Sequence, residues 1–171
     1  MRRALNMLYD GAAAGAALCM VALLAMVMLV IAGRSLGFHL PGTDAYAGYL
    51  MAGAGFLALA HTLKRGEHIR VTLLINALRG APRRALELWA LAAAFALAAL
   101  TAGYSVRLAW QSRAFNDLST GNDATPLWIP QIGMAVGTLV LAIALLDELV
   151  LEWRGQRVHS GTDDGEALHH E

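Results

Sequence analysis

The chain has 171 residues, of which 57% are hydrophobic and 15% charged. An ordinary soluble domain carries about 25% charged residues, so this composition argues against one. Thirteen basic and thirteen acidic residues cancel. The overall charge therefore points to neither nucleic acid nor an acidic substrate, and the length allows one domain.

A helix needs about 20 mostly apolar residues to cross a hydrocarbon core of about 30 Å. Residues 11–33 contain no charged side chain and predict a first span. Arg2 and Arg3 precede it, so a cleaved signal peptide is the competing reading. The apolar run exceeds the core of about 7–15 residues usual in such signals, which favours a retained helix. Cys19, the single cysteine, lies in this tract; it excludes an intramolecular disulfide and reads as a small buried hydrophobe. A short turn with Gly37, Pro41 and Gly42 leads to a second predicted span over 45–63, interrupted only by His61 near its end.

The next segment, 69–78, predicts an amphipathic helix. At 100° per residue Thr72, Asn76, Arg79 and Arg83 share one face, and Leu73, Leu74, Ala77 and Leu78 the other. Gly80 and Pro82 are expected to stop it. Such a helix suits the membrane interface, its arginines near anionic headgroups of the membrane lipids; a solvated basic loop is the alternative. A third span is predicted over 88–106, its helix continuing through Arg107 and Trp110 to Arg113. Gly121, Asn122 and Asp123 predict a turn, and Pro126 precedes a fourth span over 127–146. The resulting fold class is an all-α integral membrane protein, with four transmembrane helices and a cytoplasmic interfacial helix in a membrane domain over 1–159. Residues 160–171, rich in Gly, Asp, Glu and His, predict a disordered tail.

Ten of the thirteen basic residues flank the spans on one side, and only Arg34, Arg107 and Arg113 fall on the other. The positive-inside rule then places both termini and the middle segment in the cytoplasm. The four tryptophans and four tyrosines all fall near predicted span ends, where a ring is half buried and its polar atom stays wet.

The middle of every predicted span lacks Asp, Glu, Lys and Arg, so no transported ion has an evident charged ligand. His39, His159, His169 and His170 fall in loops or the tail, and His61 and His68 at the cytoplasmic edge, which leaves no inward axial ligands for haem. No His-Glu-x-x-His or phosphate loop is present. Glu67 and His68, beside Lys64 and Arg65, read as acid–base chemistry or, more simply, as a helix end. No catalytic, cofactor-binding or metal site is expected, and an enzyme is the weakest reading. Gly11-x-x-x-Gly15 and Gly133-x-x-x-Gly137 have the small-residue spacing that lets helices approach closely, and the second span adds Gly48, Gly53 and Gly55. The two pairs fall at different depths and call for different partners. Chance occurrence in Ala- and Gly-rich helices is the competing explanation.

The run from Gly48 to His61, continued by Thr62-Leu-Lys-Arg-Gly-Glu-His-Ile-Arg-Val-Thr-Leu-Leu74, resembles the small membrane subunit (DctQ-like) of tripartite ATP-independent periplasmic (TRAP) transporters. The likeness extends through Trp153. It is sharpest at Arg65-Gly-Glu-His68-Ile-Arg-Val71 and is seconded by Pro126-Leu-Trp-Ile-Pro130. Many members open the second span with Trp and an acidic pair, whereas here only Asp44 is present, in Gly42-Thr-Asp-Ala-Tyr46. The resemblance implies a bacterial inner-membrane complex with a large multi-span permease subunit and a periplasmic solute-binding protein. It further implies sodium-driven uptake of an organic acid, the small subunit acting as scaffold. Arg107, Trp110 and Arg113 are then candidate contacts for an acidic surface on the binding protein, or simply boundary anchors. A self-contained four-span protein, such as a homo-oligomeric channel or an assembly factor, is the alternative.

Overall fold

The structure, a computed structural model, describes residues 2–38, 41–64, 81–121 and 123–155. Four helices make up most of it: α1 (Arg2–Leu36), α2 (Thr43–Lys64), α3 (Ala81–Ala114) and α4 (Trp128–Trp153). An isolated antiparallel bridge, Leu118 to Pro126, closes the α3–α4 loop. The amphipathic helix expected over 69–78, the residues Arg65, His68 and Arg79, and the tail over 160–171 lie outside the described residues.

α1 and α3, with 35 and 34 residues, are each about 50 Å long at 1.5 Å per residue. Both exceed the apolar tracts that predicted them. Hydropathy marks the part suited to hydrocarbon, while the backbone ladder runs on through charged flanks. Pro82, expected to stop the preceding helix, sits in the first turn of α3. There its missing N–H removes a donor that would have had no intrahelical partner. Arg83 thus belongs to α3, where its Nε donates to Glu87 Oε1 one turn later at 3.1 Å.

Three helices end the same way, with the chain turning through the left-handed region. Gly37 (φ 75°), Asn116 (φ 52°) and Gly155 (φ 65°) follow α1, α3 and α4. Asp117 N–H reaches back to the Ser112 carbonyl at 2.9 Å and Asn116 N–H to that of Arg113 at 3.4 Å. Phe38 N–H does the same to Gly33 at 3.0 Å, and Gly155 N–H to Glu152 at 3.0 Å. These bonds satisfy carbonyls that a helix end leaves open.

Three helices contain segments long and apolar enough to cross a membrane: Leu5–Leu36, Pro82–Ala114 and Trp128–Trp153. In α2, of 22 residues, Tyr46, Gly48, Tyr49, Gly53, Gly55 and His61 dilute the apolar run.

The helices pack side by side in the order α1–α2–α4–α3. α2 lies between α1 and α4, α1 touches α4 only lightly, and α3 packs on α4 alone among the described helices. Contacts such as Gly15 with Leu57 and Arg84 with Trp153 set α1 antiparallel to α2, and α3 antiparallel to α4. α2 and α4 run parallel, with Gly53 against Gly133 and Phe56 against Gly137. The core is built largely from small side chains, including Ala12, Ala60, Ala98, Ala142 and Ala144, around Tyr9, Leu63, Val140 and Leu145. Small residues bring backbones close, so dispersion can hold helices together where no hydrophobic gradient drives association. Long apolar side chains point outward: Leu18, Val21 and Leu24 on α1, Leu97 and Leu100 on α3, Ile132 and Leu139 on α4.

Candidate partner interface

The glycines expected to mediate close approach divide sharply. A Cβ built on Gly137 would lie 2.5 Å from the carbonyl carbon and oxygen of Phe56, so α4 meets the α2 backbone itself. Gly133 sits opposite Gly53 at an ordinary 3.5 Å, and Gly53 faces Cys19 of α1 at 3.4 Å on another side. Gly15 meets Leu57 at 3.4 Å, while Gly11 and Gly48 have nothing within 4 Å. Gly15, Gly133 and Gly137 therefore all meet α2. Gly15 and Gly137 do so at the neighbouring positions Leu57 and Phe56, so the separation in depth expected of the two pairs does not hold there. Gly11 and Gly48 remain on open faces.

Around the α3–α4 loop a set of side chains converges that spacing alone does not disclose. The two carboxylate oxygens of Asp123 accept from Tyr49 Oη at 3.1 Å and from Ser119 Oγ at 2.8 Å. Tyr49 Oη also lies 2.9 Å from Ser119 Oγ, and Thr125 Oγ1 donates to Tyr46 Oη at 3.0 Å. The two tyrosine rings stand edge to face with centroids 6.1 Å apart. Gly42 (φ 84°) allows the approach, since a Cβ there would come within 2.9 Å of Asp123 Cβ. Partial desolvation pulls the Asp123 carboxyl upward. Hydrogen bonds from Thr125, Ser119, its own backbone and Tyr49 prevail and hold it below the usual carboxylate range. The loop is thus tied to the start of α2. The turn residues were visible in the sequence; their partners, more than 70 positions away, were not.

At the same end of the helices, the three outer candidates separate. Arg113 lies over the Trp128 ring, 5.3 Å from its centroid, a cation–π contact that staples α3 to α4. Trp110 is 76% exposed. Arg107 lines a groove between α3 and α4.

The opposite end carries a second polar group of side chains. Lys64 donates to Asn6 Oδ1, and its ammonium lies 5.1 Å from the centroid of the Tyr9 ring, which is 2% exposed. His61 Nδ1 is 3.9 Å from Asp10 Oδ1. Arg84 Nη2 donates to the Trp153 carbonyl at 2.9 Å, placing a cation at the negative end of α4. Arg83 is turned toward Glu87.

Polar and charged groups thus gather at the two ends, and the stretches 11–33, 45–63, 88–106 and 128–146 between them hold no Asp, Glu, Lys or Arg. Among the described residues no three His, Cys, Asp or Glu side chains are grouped to hold a metal ion. Such an arrangement offers surfaces for packing.

A family model described as "Tripartite ATP-independent periplasmic transporters, DctQ component" matches residues 23–155. That family consists of transporter components and is not one of enzymes. No curated protein matches the chain.

Proposed function

The chain belongs to the DctQ component family of tripartite ATP-independent periplasmic transporters, and from that premise we propose that it is the small scaffold subunit of such a transporter in a bacterial inner membrane. The family match is the observation that carries this reading. In it all four helices span. α2, with 22 residues, is about 33 Å long, enough for a hydrocarbon core of about 30 Å. Both termini and the basic segment 64–84 face the cytoplasm, as the asymmetry of Lys and Arg supports. The segment 69–78, with Arg65, His68 and Arg79 on or near it, lies along the cytoplasmic interface.

The large multi-span permease carries the substrate and sodium sites. A periplasmic binding protein delivers the organic acid, and the sodium gradient drives uptake. The present chain supplies a fixed frame, because differential binding of an ion across the membrane needs polar ligands at depth and these spans have no charged ones. Its open glycine faces, at Gly11 and Gly48, and the long apolar side chains of α1 are available to the permease. Arg107 and Trp110 face the side from which the binding protein approaches.

Deleting the chain from cells that retain the permease and binding protein is expected to abolish sodium-dependent uptake of the organic acid. Restoring the full chain returns it. Undiminished uptake in the deletion strain would overturn the scaffold reading.

A further inference from the structure

The groove between α3 and α4 has a volume of about 620 Å³ and a polarity that changes along its length. Leu97 and Leu100 wall the end toward mid-membrane, and Met134 faces the groove from α4. Leu108 stands beside Arg107, and the hydroxyls of Thr101 and Ser105 along the middle are turned back to carbonyls of their own helix. Arg107 and Gln111 line the end nearest the α3–α4 loop. From Leu97 to Gln111 is about 21 Å along a helix, whereas one leaflet's share of the hydrocarbon is about 15 Å. The groove therefore runs from near mid-membrane to the headgroup level, which the neighbouring Trp110 and Trp128 mark independently. It covers only the half of α3 toward this end. A spanning helix from a partner would need a seam along the whole of α3. The wall offers it exposed Leu97, Leu100 and Tyr104 in place of the small residues that helix contacts favour.

Arg107 supplies the second part of the argument. Among the described residues the ion pairs are His61–Asp10 and Arg83–Glu87, and no carboxylate pairs with Arg107. A guanidinium at the rim of hydrocarbon, one turn inward of Trp110, calls for an anion at headgroup depth. We propose that this groove is a binding site for one anionic phospholipid, its phosphate on Arg107 and one acyl chain against Leu97, Leu100 and Met134. This goes beyond the scaffold role and does not depend on it, because the site is complete within this chain.

The test is native mass spectrometry of the purified full chain in mild detergent, titrated with phosphatidylglycerol and separately with phosphatidylcholine. One phosphatidylglycerol is expected to bind more tightly than any further lipid and more tightly than phosphatidylcholine. Arg107→Gln should weaken that first binding on the order of tenfold and remove the preference between headgroups. Leu100→Trp, which fills the groove from an exposed position, should weaken both lipids while helical content by circular dichroism is unchanged. Arg34→Gln, at the same end but outside the groove, should have no effect. Inorganic phosphate should not compete, since it makes no use of the apolar wall. Equal binding by wild type and both groove variants would overturn the proposal, as would loss of binding in Arg34→Gln or displacement by phosphate. A photo-crosslinker at Leu100 that captures a protein chain in native membranes, in place of lipid, would also overturn it.

Discussion

Substituting Gly137 by Ala tests how closely α2 and α4 are held. The added Cβ would lie 2.5 Å from the Phe56 carbonyl carbon and oxygen and 2.8 Å from Phe56 Cβ. Carbon atoms at rest sit about 3.5–4.0 Å apart, so the two backbones must part by about 1 Å. A gap of that size forfeits a quarter to a half of each nearby dispersion contact, and overpacking of this kind costs about 1–3 kcal/mol. Ala is the better helix former by about 1 kcal/mol, which offsets part of the loss. Gly133→Ala has the same helix gain, but its Cβ meets Gly53 Cα at 3.5 Å and displaces nothing. Gly133→Ala should therefore be neutral or slightly stabilising, with Gly137→Ala about 2 kcal/mol less stable than it. Reversible unfolding in mixed micelles by titrated sodium dodecyl sulfate, followed by circular dichroism, measures both. Midpoints that coincide within about 0.5 kcal/mol would refute backbone contact at Gly137.

Three further outcomes follow from the ends of the helices. Tyr49→Phe removes a donor to Asp123 and should increase protease cleavage within 115–126 while leaving total helicity unchanged. The Asp123 carboxyl is held low in the folded chain, so its contribution is complete above the ordinary Asp range and disappears only as pH falls through the lowered folded value. Protease resistance of that loop should accordingly be flat from about pH 8 to 5 and decline only below about pH 4, with a midpoint between 5 and 7 contradicting the tether. Arg84→Ala removes the bond to the Trp153 carbonyl. Hydrogen exchange in the last turn of α4 should quicken about two- to fivefold, the low end of a hydrogen bond's worth, with exchange in the middle of α4 unaltered.

The charge-free tracts were legible because a long apolar helix leaves a long compositional trace, and apart from Leu127, which precedes α4, each of them lies within one of the four helices. The helix limits were not. Pro82 reads equally well as the end of one helix or the first turn of the next, and only the ladder that follows it decides. The spacing of Gly133 and Gly137 disclosed a close approach without disclosing to what. Opposite Gly137 stands Phe56, a large residue whose backbone is what α4 touches, and no small-residue pattern points to it. The tether of Asp123 to Tyr49 bridges 74 positions between a turn and a helix start. Each half has a local explanation as turn residue or boundary aromatic, so neither asks for the other. The row order α1–α2–α4–α3 is likewise a matter of which faces are smooth enough to meet, which hydropathy does not record.

The central claim is that this chain works as the small subunit of a tripartite transporter, and solubilising native membranes in mild detergent with an affinity tag on the chain tests it most directly. The account predicts recovery of a stable complex with a large multi-span permease, surviving size-exclusion chromatography in fixed ratio. Recovery of the tagged chain alone, or only as copies of itself, would contradict it.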